Sequence, residues 1–129
     1  MQYLYHLANA SLTLRFVEYL ISRPYCSQSI VTVISQVDGW IINIKMKSPL
    51  HPQQDGNMRA FLSELGVVYS PSQLINLVLT SLDTGASVVD VMHRYQVAIV
   101  SHGLPQSSEI EAFRQHFING LGYCPQNLA

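Results

Sequence analysis

Ionised side chains are scarce in this sequence. Asp, Glu, Lys and Arg make up 12% of its 129 residues, against the roughly 25% that soluble domains average. Seven basic residues face eight acidic ones, for a formal net charge of -1. No field of either sign is therefore strong enough to draw in nucleic acid or to mark an acidic tail. Cysteine is also nearly missing. Cys26 and Cys124 are the two thiols, too few for a disulfide framework, and without a secretory leader such thiols are expected to be reduced, although they could pair. Uninterrupted apolar runs are short: Leu74 to Leu79 is already broken by Asn76, and a membrane-spanning helix needs roughly 18 apolar residues in a row. The opening Met1-Gln2-Tyr3-Leu4-Tyr5-His6 has no basic residue ahead of an apolar stretch, so it does not read as a secretion signal. These absences predict a cytoplasmic protein with no membrane partner.

Ser, Gln, Asn and Thr cover the surface instead, as in Ser27 to Ser29 and His51 to Asn57. Such groups keep a fold soluble but repel neighbours weakly, so self-association or a standing protein partner meets little electrostatic resistance. The 48% hydrophobic content excludes wholesale disorder. The length suits one domain, which at this size buries about two-thirds of the surface of its unfolded chain. We find no internal repeat. The chain reads as a single domain over residues 1–129, with a loop over 48–57, clearest in Pro49 to Gly56, between a sheet-containing half and a helical half.

The first half predicts a helix from Ser11, a plausible N-cap, to the stop at Pro24, with Leu12, Phe16, Tyr19 and Leu20 on one stripe. Tyr3 to Ala8 could extend that helix or form a short edge strand. Two β-branched runs follow, Ile30 to Ser35 and Trp40 to Lys47, joined through Asp38-Gly39, where Gly and less easily Asp tolerate positive φ. Both runs are apolar on nearly both faces, so the hairpin must be covered by helices or extended by another strand, from this chain or a second copy. Trp40, at the head of the second strand, is read as core; together with Tyr3, Tyr5, Tyr19 and Tyr25 it could instead form an aromatic contact surface.

The second half reads as helices. Asp55 or Asn57 can cap Met58 to Leu65, whose stripe is Met58, Phe61, Leu62 and Leu65, with Gly66 as a left-handed stop. Ser70-Pro71-Ser72-Gln73 offers a cap, a first-turn proline and a capping-box glutamine for a helix that buries Leu74, Leu77, Val78 and Leu82 and ends at Asp83-Thr84-Gly85. Ser87 opens a shorter helix to about Tyr95. The last starts at Ser107 or Ser108, carries Glu109 and Glu111 in its first turn where the helix dipole favours them, buries Ile110, Phe113, Phe117 and Leu121, and stops at Gly120. The fold class is α+β: an N-terminal helix, a β-hairpin over about residues 29–47, then three to four helices packed on the small antiparallel sheet.

Motifs for chemistry are few. The metal donors His6, Cys26, His51, His93, His102, His116 and Cys124 show none of the paired spacings of structural zinc sites, although the last four could converge in space. No G-x-S-x-G occurs, and Ser101-His102-Gly103 is read as a loop, because adjacent residues rarely point at one another. Glu109 and Glu111 diverge around their helix. Gly120-Leu121-Gly122 lacks the strand and helix that a dinucleotide fingerprint requires, and no phosphate-binding G-x-x-x-x-G-K is present.

One segment has a likeness. Ser81-Leu82-Asp83-Thr84-Gly85-Ala86-Ser87 leading into Val88-Val89-Asp90-Val91-Met92-His93-Arg94-Tyr95-Gln96-Val97 resembles the first part of a helix-turn-helix of the transposase or homeodomain-like kind. The resemblance covers about 17 residues and implies a DNA-binding regulator using the 71–104 region. The continuation, Ala98 to Pro105, is short and apolar, and Arg94 is the one fixed positive charge, so the physical reading of the same residues is a helical hairpin packed against the sheet. The expectation is a small non-enzymatic protein-protein interaction module (an adaptor, assembly factor or regulatory subunit) that associates with itself or another protein. It would use no cofactor, metal or catalytic residue, and no contact residues are assigned.

Overall fold

A hairpin forms the centre of the molecule because two β-branched runs, β2 (Ile30–Gln36) and β3 (Gly39–Lys45), pair antiparallel in continuous register, Val31 opposite Ile44 and Ser35 opposite Trp40. The computed structural model describes residues 2–26 and 28–129; Met1 of the opening segment and Ser27 of the polar stretch lie outside them. The turn itself is Val37-Asp38, not Asp38-Gly39: Gln36 pairs with Gly39, and of these residues Gly39 alone has positive φ, +148°. A second constraint fixes glycine there, since a Cβ would sit 2.5 Å from the carbonyl oxygen of Leu7.

Tyr3, Tyr5 and Leu7 are buried in alternation, the period of a strand. The open question over Tyr3 to Ala8 is thereby settled as β1 (Gln2–Leu7), which is internal rather than at the edge: it pairs with β3 on one side and with β4 (Gly66–Val68) on the other. β5 (Ala98–Gly103) runs along the free side of β2, where the sequence suggested a loop. The five strands, all antiparallel, lie in the order β4-β1-β3-β2-β5. Their register breaks once, between Val33 and Ile34, leaving Val100 as an extra residue in β5.

Helix starts are set by capping chemistry, and several differ from expectation. α1 (Ala10–Ser22) is capped by Asn9, whose Oδ1 accepts from the Leu12 N–H at 3.0 Å, and not by Ser11. α2 (Pro52–Leu65) begins inside the expected 48–57 loop, because the fixed φ of Pro52 suits a first helical position; Asp55 and Asn57 are helical rather than caps. Gly66 is extended at φ -163°, so it is no left-handed stop; a Cβ there would meet the His6 carbonyl oxygen at 2.3 Å, and glycine lets β4 approach β1.

The cap of α3 (Gln73–Asp83) is Ser72, whose hydroxyl accepts from the Ile75 N–H at 3.2 Å, instead of Ser70. It buries Ile75, Val78, Leu79 and Leu82, leaving Leu74 and Leu77 outside. Both stripes obey helical spacing, so periodicity alone could not choose between them. α4 (Val88–Tyr95) is capped by Ser87 as expected. α5 (Ser108–Leu121) runs past Gly120 and ends at Gly122, which takes φ 76°.

Helices cover both faces of the sheet, which defines an α+β fold. On one face Tyr3, Tyr5, Val33, Trp40, Ile42 and Ile44 pack under α1, α2 and the start of α5 in the larger apolar cluster. On the other, Ile34, Ile41 and Ile99 meet α3 and α4 in a smaller one, so the α3–α4 pair is a helical hairpin laid on the sheet. Each large side chain removed from water contributes about 1.5–3 kcal/mol. Trp40 is fully buried, as the core reading required. Its indole N–H donates to the Asn127 carbonyl at 2.7 Å, and the Asn127 amide donates to the Gln36 carbonyl at 3.1 Å, which fastens the short 3₁₀ turn Gln126–Leu128 against the hairpin. Among the described residues no helix is long and apolar enough to cross a membrane.

Candidate interaction groove

The turn end of the hairpin opens into a groove of about 620 Å³. At its base lies the end of β2, with Ser35 and Gln36 partly exposed above the buried Ile34, and its rim is built by what each neighbouring element must do to end or begin. The Val37-Asp38 turn carries a β-branched apolar side chain outward, 97% exposed. Packing of Ile75 and Leu79 into the smaller cluster turns α3 so that Leu74, 42% exposed, lines the groove instead of the core. α4 ends at Gln96, the one non-glycine residue with positive φ among those described, at 56°. Its left-handed turn, held by a bond from Gln96 Nε2 to the His93 carbonyl at 2.7 Å, directs Val97 and Ala98 along the rim into β5.

The far wall is an aromatic row. Phe113 meets Trp40 edge-on at 5.6 Å, and Phe117 lies 4.6 Å from Phe113. The row thus runs from the core to the surface, where Phe117 is 44% exposed and Leu121 continues the same stripe. α5 was expected to bury all of Ile110, Phe113, Phe117 and Leu121; the sheet covers only the first part of it. Among the described residues Asp38 is the single ionisable one in the groove lining, and the surface there is mostly apolar in a protein that has few charges anywhere.

The residues singled out for chemistry do not line this groove, although His6 and His116 border its Asp38 and Phe117. Thr32 and His102 face each other across β2 and β5, Oγ1 and Nδ1 2.8 Å apart, in a row that continues to Asn43, whose Oδ1 is buried without a hydrogen-bond partner. Thr32 is only 3% exposed, so no substrate reaches its hydroxyl. Ser101 is likewise buried. His6 stacks against Tyr69, its Nε2 4.0 Å from Asp38 Oδ1. His51 precedes α2, His93 lies in the last turn of α4, and His116 meets Phe117 edge-on. Cys26 is buried and Cys124 exposed, and the two form no disulfide. Among the described residues no three His, Cys, Asp or Glu side chains gather into a group that could hold a metal ion. The helix expected after α4 by likeness to a helix-turn-helix is replaced by β5, and Arg94 borders a small hollow beside Tyr95 and Asp90.

Burial shifts several protons. The Tyr3 phenol is driven well above its ordinary value by burial and by donating to Asp55, whose carboxyl is in turn held below the usual carboxylate range by that bond and by Arg59. The Cys26 thiol is pushed up to about 11 by burial. These groups are locked into the core or its margin and lie outside the groove lining. No family model, curated protein or solved structure matches the chain.

Proposed function

We propose that the protein is a non-catalytic interaction module that pairs with a second copy of itself through the groove at the turn end of the hairpin. One observation carries this reading: an exposed apolar projection, Val37, stands at the lip of a groove whose lining includes the exposed Leu74 and Phe117. A projection and a recess on one patch are what a two-fold contact between identical chains requires, since each copy must offer what the other accepts. The net charge of -1 leaves little repulsion to oppose it. Two cysteines that form no disulfide fit a reducing compartment, so the proposed location is the cytoplasm.

Light scattering coupled to size exclusion tests the proposal. The expected result is a dimer for the wild type and a monomer for Val37→Asp and Phe117→Asp, with each variant melting as the wild type does. A wild type that stays monomeric as its concentration is raised, or variants that dimerise equally well, would overturn it.

A further inference from the structure

A second cleft, unrelated to the groove, lies between the end of α1 and the start of α2. We propose that it binds a small oxyanion, the carboxylate or phosphate group of a ligand, with Arg23 as the principal hold. The cleft measures about 390 Å³ and is lined by Tyr19, Arg23, Tyr25, His51, Asn57 and two glutamines, with no Asp or Glu among them.

Arg23 carries the argument. Its guanidinium carbon sits 4.6 Å from the centroid of the Tyr19 ring, and that ring is itself stacked on Phe61 at 4.1 Å with an interplanar angle of 12°. The cation is therefore laid over an aromatic stack anchored in the larger cluster, which fixes the plane of its donor fork. Among the described residues Lys45, Arg59 and Arg114 are matched with Asp83, Asp55 and Glu111, while Arg15, Arg23, Lys47 and Arg94 have no carboxylate partner, and of these four only Arg23 is laid over an aromatic ring. Asp55, the acid in the first turn of α2, is turned away to Tyr3 and Arg59. A guanidinium laid over an aromatic ring, with no carboxylate partner and no Asp or Glu in its cleft among the described residues, suits two oxygens of one anion. The Tyr25 phenol, held up at about 12 chiefly by burial, keeps its proton at neutral pH and adds no competing negative charge. The amides of Gln53 and Asn57 and the His51 imidazole bring further N–H groups to the rim.

The experiment is a titration of the backbone and arginine Nε–H signals by heteronuclear NMR. Methyl phosphate and acetate are added in separate arms at neutral pH, with sodium chloride at matched ionic strength as the control. The expected result is a saturable shift confined to the cleft in at least one arm; the arm that saturates more tightly identifies the source of the anion. Arg23→Gln should weaken that binding by more than about tenfold, since each hydrogen bond to a charged group is worth at least that much, and Arg23→Lys by less, because the planar fork is lost but the charge is kept. Arg23 is exposed, so both variants should melt as the wild type does. No saturable shift with either anion, shifts reproduced by chloride, or an Arg23→Gln protein that titrates like the wild type would each overturn the proposal.

Discussion

Burial separates the behaviour of the two thiols. Cys124 is exposed and Cys26 is sealed in the larger cluster. A maleimide or disulfide reagent should therefore label Cys124 alone in the native protein and Cys26 only after denaturation, which mass spectrometry reads directly. The same burial makes stability depend on alkaline pH. An acid kept neutral by the fold ionises first in the unfolded chain, so the unfolded state gains stability once pH exceeds the ordinary thiol value. For Cys26 that window runs from about 9 to about 11, and native stability should fall across it. Because buried tyrosines also contribute at high pH, the measurement is a comparison: denaturant unfolding of the wild type and Cys26→Ala at several pH values. Their stability difference should shrink across this window; a constant difference would mean that the thiol is not held neutral by the fold.

Two glycines show how an element reads its own sequence. Gly39 combines φ +148° with a site where a Cβ would meet the Leu7 carbonyl, so Gly39→Ala should cost about 2–3 kcal/mol, the scale of a strained backbone forced on a side chain. Gly56 lies inside α2 with open space around it, and Gly56→Ala should stabilise by about 0.5–1 kcal/mol as the helix gains a better former. Thermal or urea unfolding checks both, and equal signs would refute the pair. The hairpin was legible because β-branched runs and a turn signal agree over 16 consecutive positions, from Ile30 to Lys45. β5 was not: Ala98 to Gly103 is short, holds a serine and a histidine, and becomes a strand only because β2 offers it an unpaired side. β4, three residues long, has no local signal at all. The capping serine of α3 was misplaced by two positions because Ser70 and Ser72 are chemically equal and only the packing of Ile75 and Leu79 decides between them.

At the scale of the molecule, the two faces of the sheet are unequally loaded. The cluster under α1, α2 and α5 holds the tryptophan and most of the large aromatics, while α3 and α4 rest on a smaller aliphatic one. Hydrogen exchange should therefore show the α3 and α4 amides opening at a lower free energy than those of β1, β2 and β3, as a cooperative unit; uniform protection would contradict this. The groove was illegible for a related reason. It is assembled from the hairpin turn, the start of α3, the end of α4, the middle of α5 and the 3₁₀ turn, each unremarkable alone. Two hints existed: a valine where a turn favours polar residues, and an apolar stripe on α5 longer than the sheet could cover. The borders of the sheet carry their own consequence. On one side β4 offers only three residues, and on the other the extra Val100 disturbs the ladder of β5. Neither margin is a long, flat template, so a chain this poor in repelling charges is still guarded against growing strand upon strand into fibrils.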